Sequence, residues 1–260
     1  MIGLGRRAAL AGALMLLARP AWADVPERLV DAALQALAGC GQPLDLERRS
    51  ALLAPWPGGP RPGLWVAAAV AKSAASADGS AADLLRVAIV ERDGDGLRVL
   101  AAGEADALAN EPLWSVSLDL DGGRWPLPGG TPGVGVRLGT SYNSTARSSS
   151  TTALHLFRWQ GRVLHPVFAG LTQREAYDKD AAATCLARRG YAKPGADGRQ
   201  APDRVVEACD RLTDRKESWS IMPAAARQGG PGLVVRDGRG RIASRHRWSA
   251  TAYAPPEFAP

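Results

Sequence analysis

Thr152-Ala153-Leu154-His155-Leu156-Phe157-Arg158-Trp159, then Gln160-Gly161, then Arg162-Val163-Leu164-His165-Pro166-Val167-Phe168 reads as two strands joined by a tight turn. β-Branched, aromatic and aliphatic residues dominate both arms, and a Gly-containing pair separates them. Successive side chains on a strand point to opposite faces, so His155 shares a face with Phe157 and Trp159. With Gln160-Gly161 as the two turn residues, Trp159 pairs with Arg162 and His165 falls opposite Leu156. The two histidines then point to opposite sides of the sheet and cannot ligate one metal ion.

Similar strand signals recur on both sides of this hairpin. Leu64 to Ala71 is a compact apolar run, and Leu84 to Glu91 turns through Asp93-Gly94-Asp95-Gly96 into Leu97 to Ala102. Trp114 to Leu120 alternates Trp, Val, Leu and Leu with Ser, Ser and Asp, and Val134 to Leu138 alternates in the same way. Further strands are expected at Ser218 to Met222, Leu233 to Arg236 and Ile242 to Tyr253, with Asp237-Gly238-Arg239-Gly240 turning between the last two. Short strands separated by Gly and Asp turns predict a mainly β (α+β) fold, an antiparallel sandwich-like sheet system or a curved β-meander.

Helices are expected as additions to that sheet. Val25, Leu29, Val30, Ala33, Leu34, Leu37 and Ala38 follow helical spacing, with Asp24 and Glu27 forming a capping-box pattern and Gly39 and Gly41 ending the run. A second short helix is expected near Asp45 to Leu53. Ala181 to Arg189 and Asp203 to Leu212 form a helical insertion near residues 180–216. The Ser/Thr-rich segment Gly139 to Thr152 lacks apolar periodicity and reads as an exposed loop.

The amino terminus carries a different message. Arg6-Arg7, the apolar run Ala8 to Ala18 and Ala21-Trp22-Ala23 have the order of an export signal cleaved after Ala23. The run is too short for a membrane span, which needs about 20 apolar residues. The arginine pair with Leu10 resembles the twin-arginine signal family, although Ala9 replaces its usual large apolar residue, so both that route and the general one are kept. Leu37-Ala38-Gly39-Cys40 matches a lipidation pattern, but the residues before it include Glu27, Arg28 and Asp31 and form no apolar signal core. A periplasmic or secreted bacterial protein is expected, with 24–260 as a single β-rich domain and no transmembrane anchor in the mature chain.

Removing residues 1–23 leaves 237 of the 260 and, with Arg6, Arg7 and Arg19 gone, lowers the formal net charge from +6 to +3. From Asp24 to Cys185 there are 15 basic and 18 acidic residues, whereas from Leu186 to Pro260 there are 14 basic and 8 acidic. The positive excess therefore lies in the C-terminal part, where strand alternation puts Arg241, Arg245 and Arg247 on one face, with Arg239 in the preceding turn. Export excludes nucleic acid as the natural partner. Anionic envelope material, polysaccharide or an acidic protein suits such a surface.

In an oxidising compartment, the three cysteines suggest one disulfide and one spare thiol. Cys185 and Cys209 flank the turn-rich Lys193-Pro194-Gly195-Ala196-Asp197-Gly198, and closing that loop would constrain the unfolded chain by roughly 3 kcal/mol. Cys40 is read as the buried, unpaired thiol. The absence of a Cys-x-x-Cys pair argues against a redox or zinc site.

No catalytic motif stands clear of chance. There is no Gly-x-Ser-x-Gly elbow, no Ser three residues before a Lys, and no phosphate-loop or dinucleotide fingerprint. Asp93-Gly94-Asp95-Gly96 and Asp119-Leu120-Asp121-Gly122 resemble fragments of calcium loops but are explained by turn chemistry, without the closing Glu that calcium wants. The expectation is a non-catalytic binding or envelope-associated module without metal or cofactor. The alternatives are a secreted hydrolase using His165 or His246 as base, and a protein-binding inhibitor or structural module.

Overall fold

The computed structural model describes residues 27–39, 45–72, 83–94, 96–107, 114–130, 132–192, 197–227, 230–249, 251–254 and 257–258. Residues 1–23, expected to form an export signal, together with Asp24, Cys40, Asp95 and residues 193–196 lie outside them.

Two antiparallel meanders build the body of the protein. The first is β1 (Asp45–Pro55), β2 (Leu64–Lys72), β3 (Asp83–Asp93) and β4 (Gly96–Ala107). The second is β5 (Trp114–Pro126), β6 (Pro132–Asn143), β7 (Arg147–Gln160) and β8 (Val163–Asp178). They join where β4 meets β8 in parallel at Ala102 and Val163, and β1 runs beside β5 on the other side. Gly103 makes the join possible, because a Cβ there would lie 1.8 Å from the Leu164 carbonyl oxygen. The fold is mainly β, as the alternation predicts, but the sheet system is mixed through this one parallel contact.

The meanders curl around a shared apolar interior. Val66, Leu85, Val87 and Ile89 from the first pack with Val136, Leu138 and Phe157 from the second, all fully or nearly fully buried. The outer face of the first meander is covered by α1 (Glu27–Ala38), whose Leu29, Ala33 and Leu37 sit on Leu53, Ala67, Ala69, Ala88 and Val90. Alanines on the strands let the helix approach closely. The helix end is pinned by Arg86, fully buried, which donates to the Leu37 carbonyl at 2.8 Å and to Glu104. This pairing gives a carbonyl left over at a helix C-terminus a cationic partner.

The helix expected at Asp45 to Leu53 is instead strand β1. Leu52 and Ala54 enter the interior while Leu53 faces α1. A strand buried on both faces loses the period-two signal, and its pairing with β2 overrides the helix propensity of its charged half. The segment Gly139 to Thr152 is likewise no loop. Its two halves finish β6 and begin β7, leaving a short turn at residues 144–146. Hydroxyl pairs replace apolar packing there: Thr140 with Thr151 at 2.7 Å, and Ser115 of β5 with Ser141 at 2.6 Å.

The chain then forms α2 (Lys179–Arg188) and α3 (Asp203–Thr213), joined by the expected Cys185–Cys209 disulfide. Asp178 caps α2 through its carboxylate and the Ala181 N–H, 2.8 Å apart. Next come β9 (Asp214–Arg227), β10 (Gly230–Asp237), β11 (Ile242–Arg247) and the short β12 (Glu257–Phe258). The first residues of β9 pair with the end of β8, and its remainder pairs with β10. These strands cover Leu154, Leu156 and Val167 on the outer face of the second meander with Leu233, Ile221, Trp248 and Tyr253. The strand expected at Ile242 to Tyr253 stops at Arg247. A turn held by Ser249 and Ala252 then brings Trp248 against Tyr253, with ring centroids 5.0 Å apart.

Candidate functional site

The turn between β10 and β11 is organised by one carboxylate. Asp237 Oδ1 accepts from the backbone N–H groups of Arg239 at 3.0 Å and Arg241 at 2.9 Å, and Oδ2 accepts from Arg241 Nε at 2.9 Å. Burial pushes the Asp237 carboxyl upward, but the hydrogen bonds from Arg241 and Arg239 outweigh it and hold the group below its usual range. Gly240, at φ +78°, supplies the left-handed step that closes the turn. Arg241 is thereby tied to Asp237, whereas Arg239 is presented at the exposed tip.

Beside this turn is an open groove of ≈ 510 Å³ lined by Lys216, Glu217, Ser218, Trp219, Asp237, Gly238, Arg239 and Arg241. Pairing of β9 with β10 sets its floor by placing Trp219 opposite Asp237. Two of the four arginines singled out in the sequence thus meet a third cation and an indole. Arg245 and Arg247 lie elsewhere, exposed on β11 and alternating with the inward-facing Ser244 and His246. Arg241 precedes that strand, and a register shift between Val235 and Arg236 separates it from the regular pairing. Trp219 is one of seven tryptophans after residue 23 that could offer a sugar an aromatic platform, and nothing in the sequence separates it from the others. Lys216 carries no signal of its own, and the two meet the turn only through pairing of β9 with β8 and β10.

The three histidines occupy different environments. His155 is 1% exposed and faces the barrel-like interior, with no hydrogen-bond partner for either ring nitrogen. Burial pushes its pKa down to about 4. His165 is exposed opposite Arg158 and lines a groove of ≈ 870 Å³ between the end of α1, β4 and the start of β8. His246 contacts Ser244 Oγ and the Ala254 carbonyl, both at 3.2 Å, and stacks edge-on against Phe168. Those contacts bring His246 a hydroxyl and a carbonyl, and neither is a carboxylate that could orient it as a base.

His155 and His165 do face opposite sides, although the hairpin frame differs from the expected one. Gln160 pairs with Val163, so Gly161 and Arg162 are the turn residues and His165 lies opposite Arg158 rather than Leu156. Gly161 has φ +61°, the conformation a two-residue turn requires at its first central position. Asp121 belongs to the architecture as well. Its carboxylate accepts from Gly123 N and Trp125 Nε1, both at 2.9 Å, and from Arg137 at 2.8 Å.

A second groove, of ≈ 430 Å³, is lined mainly by hydroxyl, amide and charged groups: Ser141, Asn143, Ser148, Ser150, Glu175, Tyr177, Asp214 and Lys216 among them. Four strands supply these residues through one continuous register, Ser141–Ser150–Glu175–Lys216 and Asn143–Ser148–Tyr177–Asp214. At one side Tyr177 donates to Asp210 of α3 at 2.8 Å, and burial together with that carboxylate raises its pKa to about 12. Lys179 of α2 donates to Asn143 Oδ1 at 2.7 Å and to the Ser144 carbonyl at 2.5 Å. The signal for this groove was present in the sequence as the Ser/Thr enrichment of Gly139 to Thr152, and reading the segment as a loop concealed it.

Among the described residues, no helix is long and apolar enough to cross a membrane. No protein-family model, curated protein or solved structure matches the chain.

Proposed function

We propose that this is an exported bacterial binding module that holds anionic polysaccharide of the cell envelope in the groove between β9 and the β10–β11 turn. The observation that carries this reading is the meeting of Lys216, Arg239 and Arg241 with Trp219 in one open groove. Cations attract carboxylated or phosphorylated sugars, and an indole face suits the apolar face of a sugar ring. Glu217 and Asp237 temper the positive field, and Asp237 fixes the turn that carries the arginines. Export is supported by the signal-like residues 1–23 and by the Cys185–Cys209 disulfide, which suits an oxidising compartment.

Charge reversal at positions outside the Asp237 clamp tests the reading. The double variant Lys216→Glu/Arg239→Glu is expected to bind anionic envelope polysaccharide at least tenfold more weakly than the natural chain in low salt. Circular dichroism should show the fold intact. Undiminished binding by the folded variant would remove this groove as the contact surface.

A further inference from the structure

The two grooves share Lys216. Resting on the reading above, we infer that the serine-lined groove is a second part of the same binding surface, and that the ligand is an extended acidic glycan rather than an isolated anion or an acidic protein. The cationic groove holds its carboxylates, and the serine-lined groove holds its hydroxyls.

The argument begins with what lines the second groove. Ser141, Ser148 and Ser150 supply short, uncharged side chains that both donate and accept hydrogen bonds. Sugar hydroxyls need partners of that kind. An anion-only site would instead require donors alone, and a site for acidic peptide would have little use for a row of serines. Ser148 and Ser150 are half-buried, and Ser141 already exchanges a hydrogen bond with Ser115. These groups are therefore set on a ladder of paired strands rather than on a loose loop.

Spacing gives the second reason. Ser141, Ser150, Glu175 and Lys216 are direct neighbours across β6, β7, β8 and β9. Adjacent strands are about 4.8 Å apart, so polar groups recur across the sheet at roughly the length of one hexose unit in an extended chain. A polymer lying across the strands meets one row member per sugar and arrives at Lys216, where the cationic groove begins. Glu175 and Asp214 favour sugar hydroxyl donors in this part and disfavour carboxylates, which divides the surface into a neutral-sugar half and an acidic-sugar half. Helices α2 and α3 brace one end through Lys179 and Asp210, giving the disulfide-linked insertion a place in the site.

Calorimetric titration of the full mature chain with oligogalacturonate and with its fully methyl-esterified form separates the two halves, because the backbone is shared and only the charge differs. The natural chain is expected to bind both, the acidic form more tightly. Ser148→Val/Ser150→Val, which keeps strand preference while deleting two hydroxyls, should weaken both forms at least tenfold. Arg239→Glu should weaken the acidic form alone. Should the valine pair fail to fold, Ser150→Gln fills the groove while remaining polar and is expected to weaken both forms in the same way. If the serine variants bind both forms as the natural chain does while Arg239→Glu loses the acid, the inference falls and the cationic-groove reading survives. If Arg239→Glu changes nothing, both fall. Binding of poly-glutamate as tightly as oligogalacturonate, or of neither glycan at millimolar concentration, would also overturn it.

Discussion

His155 shows how a single side chain sets a measurable property of this fold. Its ring is surrounded by the interior and neither nitrogen is bonded, so burial lowers its pKa from 6.5 to about 4. Between those values the unfolded chain binds a proton that the folded chain refuses. Stability is therefore full above about pH 6.5 and falls as the pH drops toward 4, by up to roughly 3 kcal/mol from this residue. Urea unfolding at a series of pH values should show that slope, and His155→Leu should flatten it. An unchanged slope would mean that His155 is hydrated or bonded in solution. The sequence placed His155 on the Phe157 and Trp159 face correctly, because alternation along one strand depends on no partner. Its pairing was misread by one step because Gly161 opens the turn rather than closing it.

At the scale of elements, legibility followed from how many faces of a segment are covered. Val116, Leu118 and Leu120 pack toward the interior while Ser115, Ser117 and Asp119 are exposed, so that alternation reads directly as a strand. Val134, Val136 and Leu138 alternate with Gly135 and Arg137, and the pattern survives although Gly135 is covered by Trp125 and Leu154. β1 lies between the interior and α1, and Leu52-Leu53-Ala54 is consequently apolar without a period. The Ser/Thr hairpin fails the same test for the opposite reason: its polar face is the one that matters. The α2–α3 insertion was legible from helical spacing and cysteine placement. Its disulfide closes a sequence separation of 24 residues, and replacing both cysteines by alanine should cost about 3 kcal/mol. Thermal unfolding of the Cys185→Ala/Cys209→Ala variant measures that cost. A melting temperature within one degree of the natural chain would show that the insertion is held by its packing alone.

Over the whole molecule, two meanders enclose an apolar interior, and each receives a cover on its outer face: α1 on the first, β9 to β11 on the second. The second cover carries the basic excess that follows Cys185 in the sequence. Composition located that excess but not its arrangement. Pairing of β9 with β8 and β10 gathers Lys216, Trp219 and Arg239 around the Asp237 turn, while Arg245 and Arg247 stay on β11. Residues far apart in sequence thus become one surface through sheet register, which no local pattern encodes.

Amide hydrogen exchange of residues 24–260 with and without oligogalacturonate tests this surface most directly. Slowed exchange is expected at residues 214–219 and 237–241, together with the serine hairpin at 141–150. Slowing confined to the groove beside His165, or no change at saturating glycan, would contradict the account.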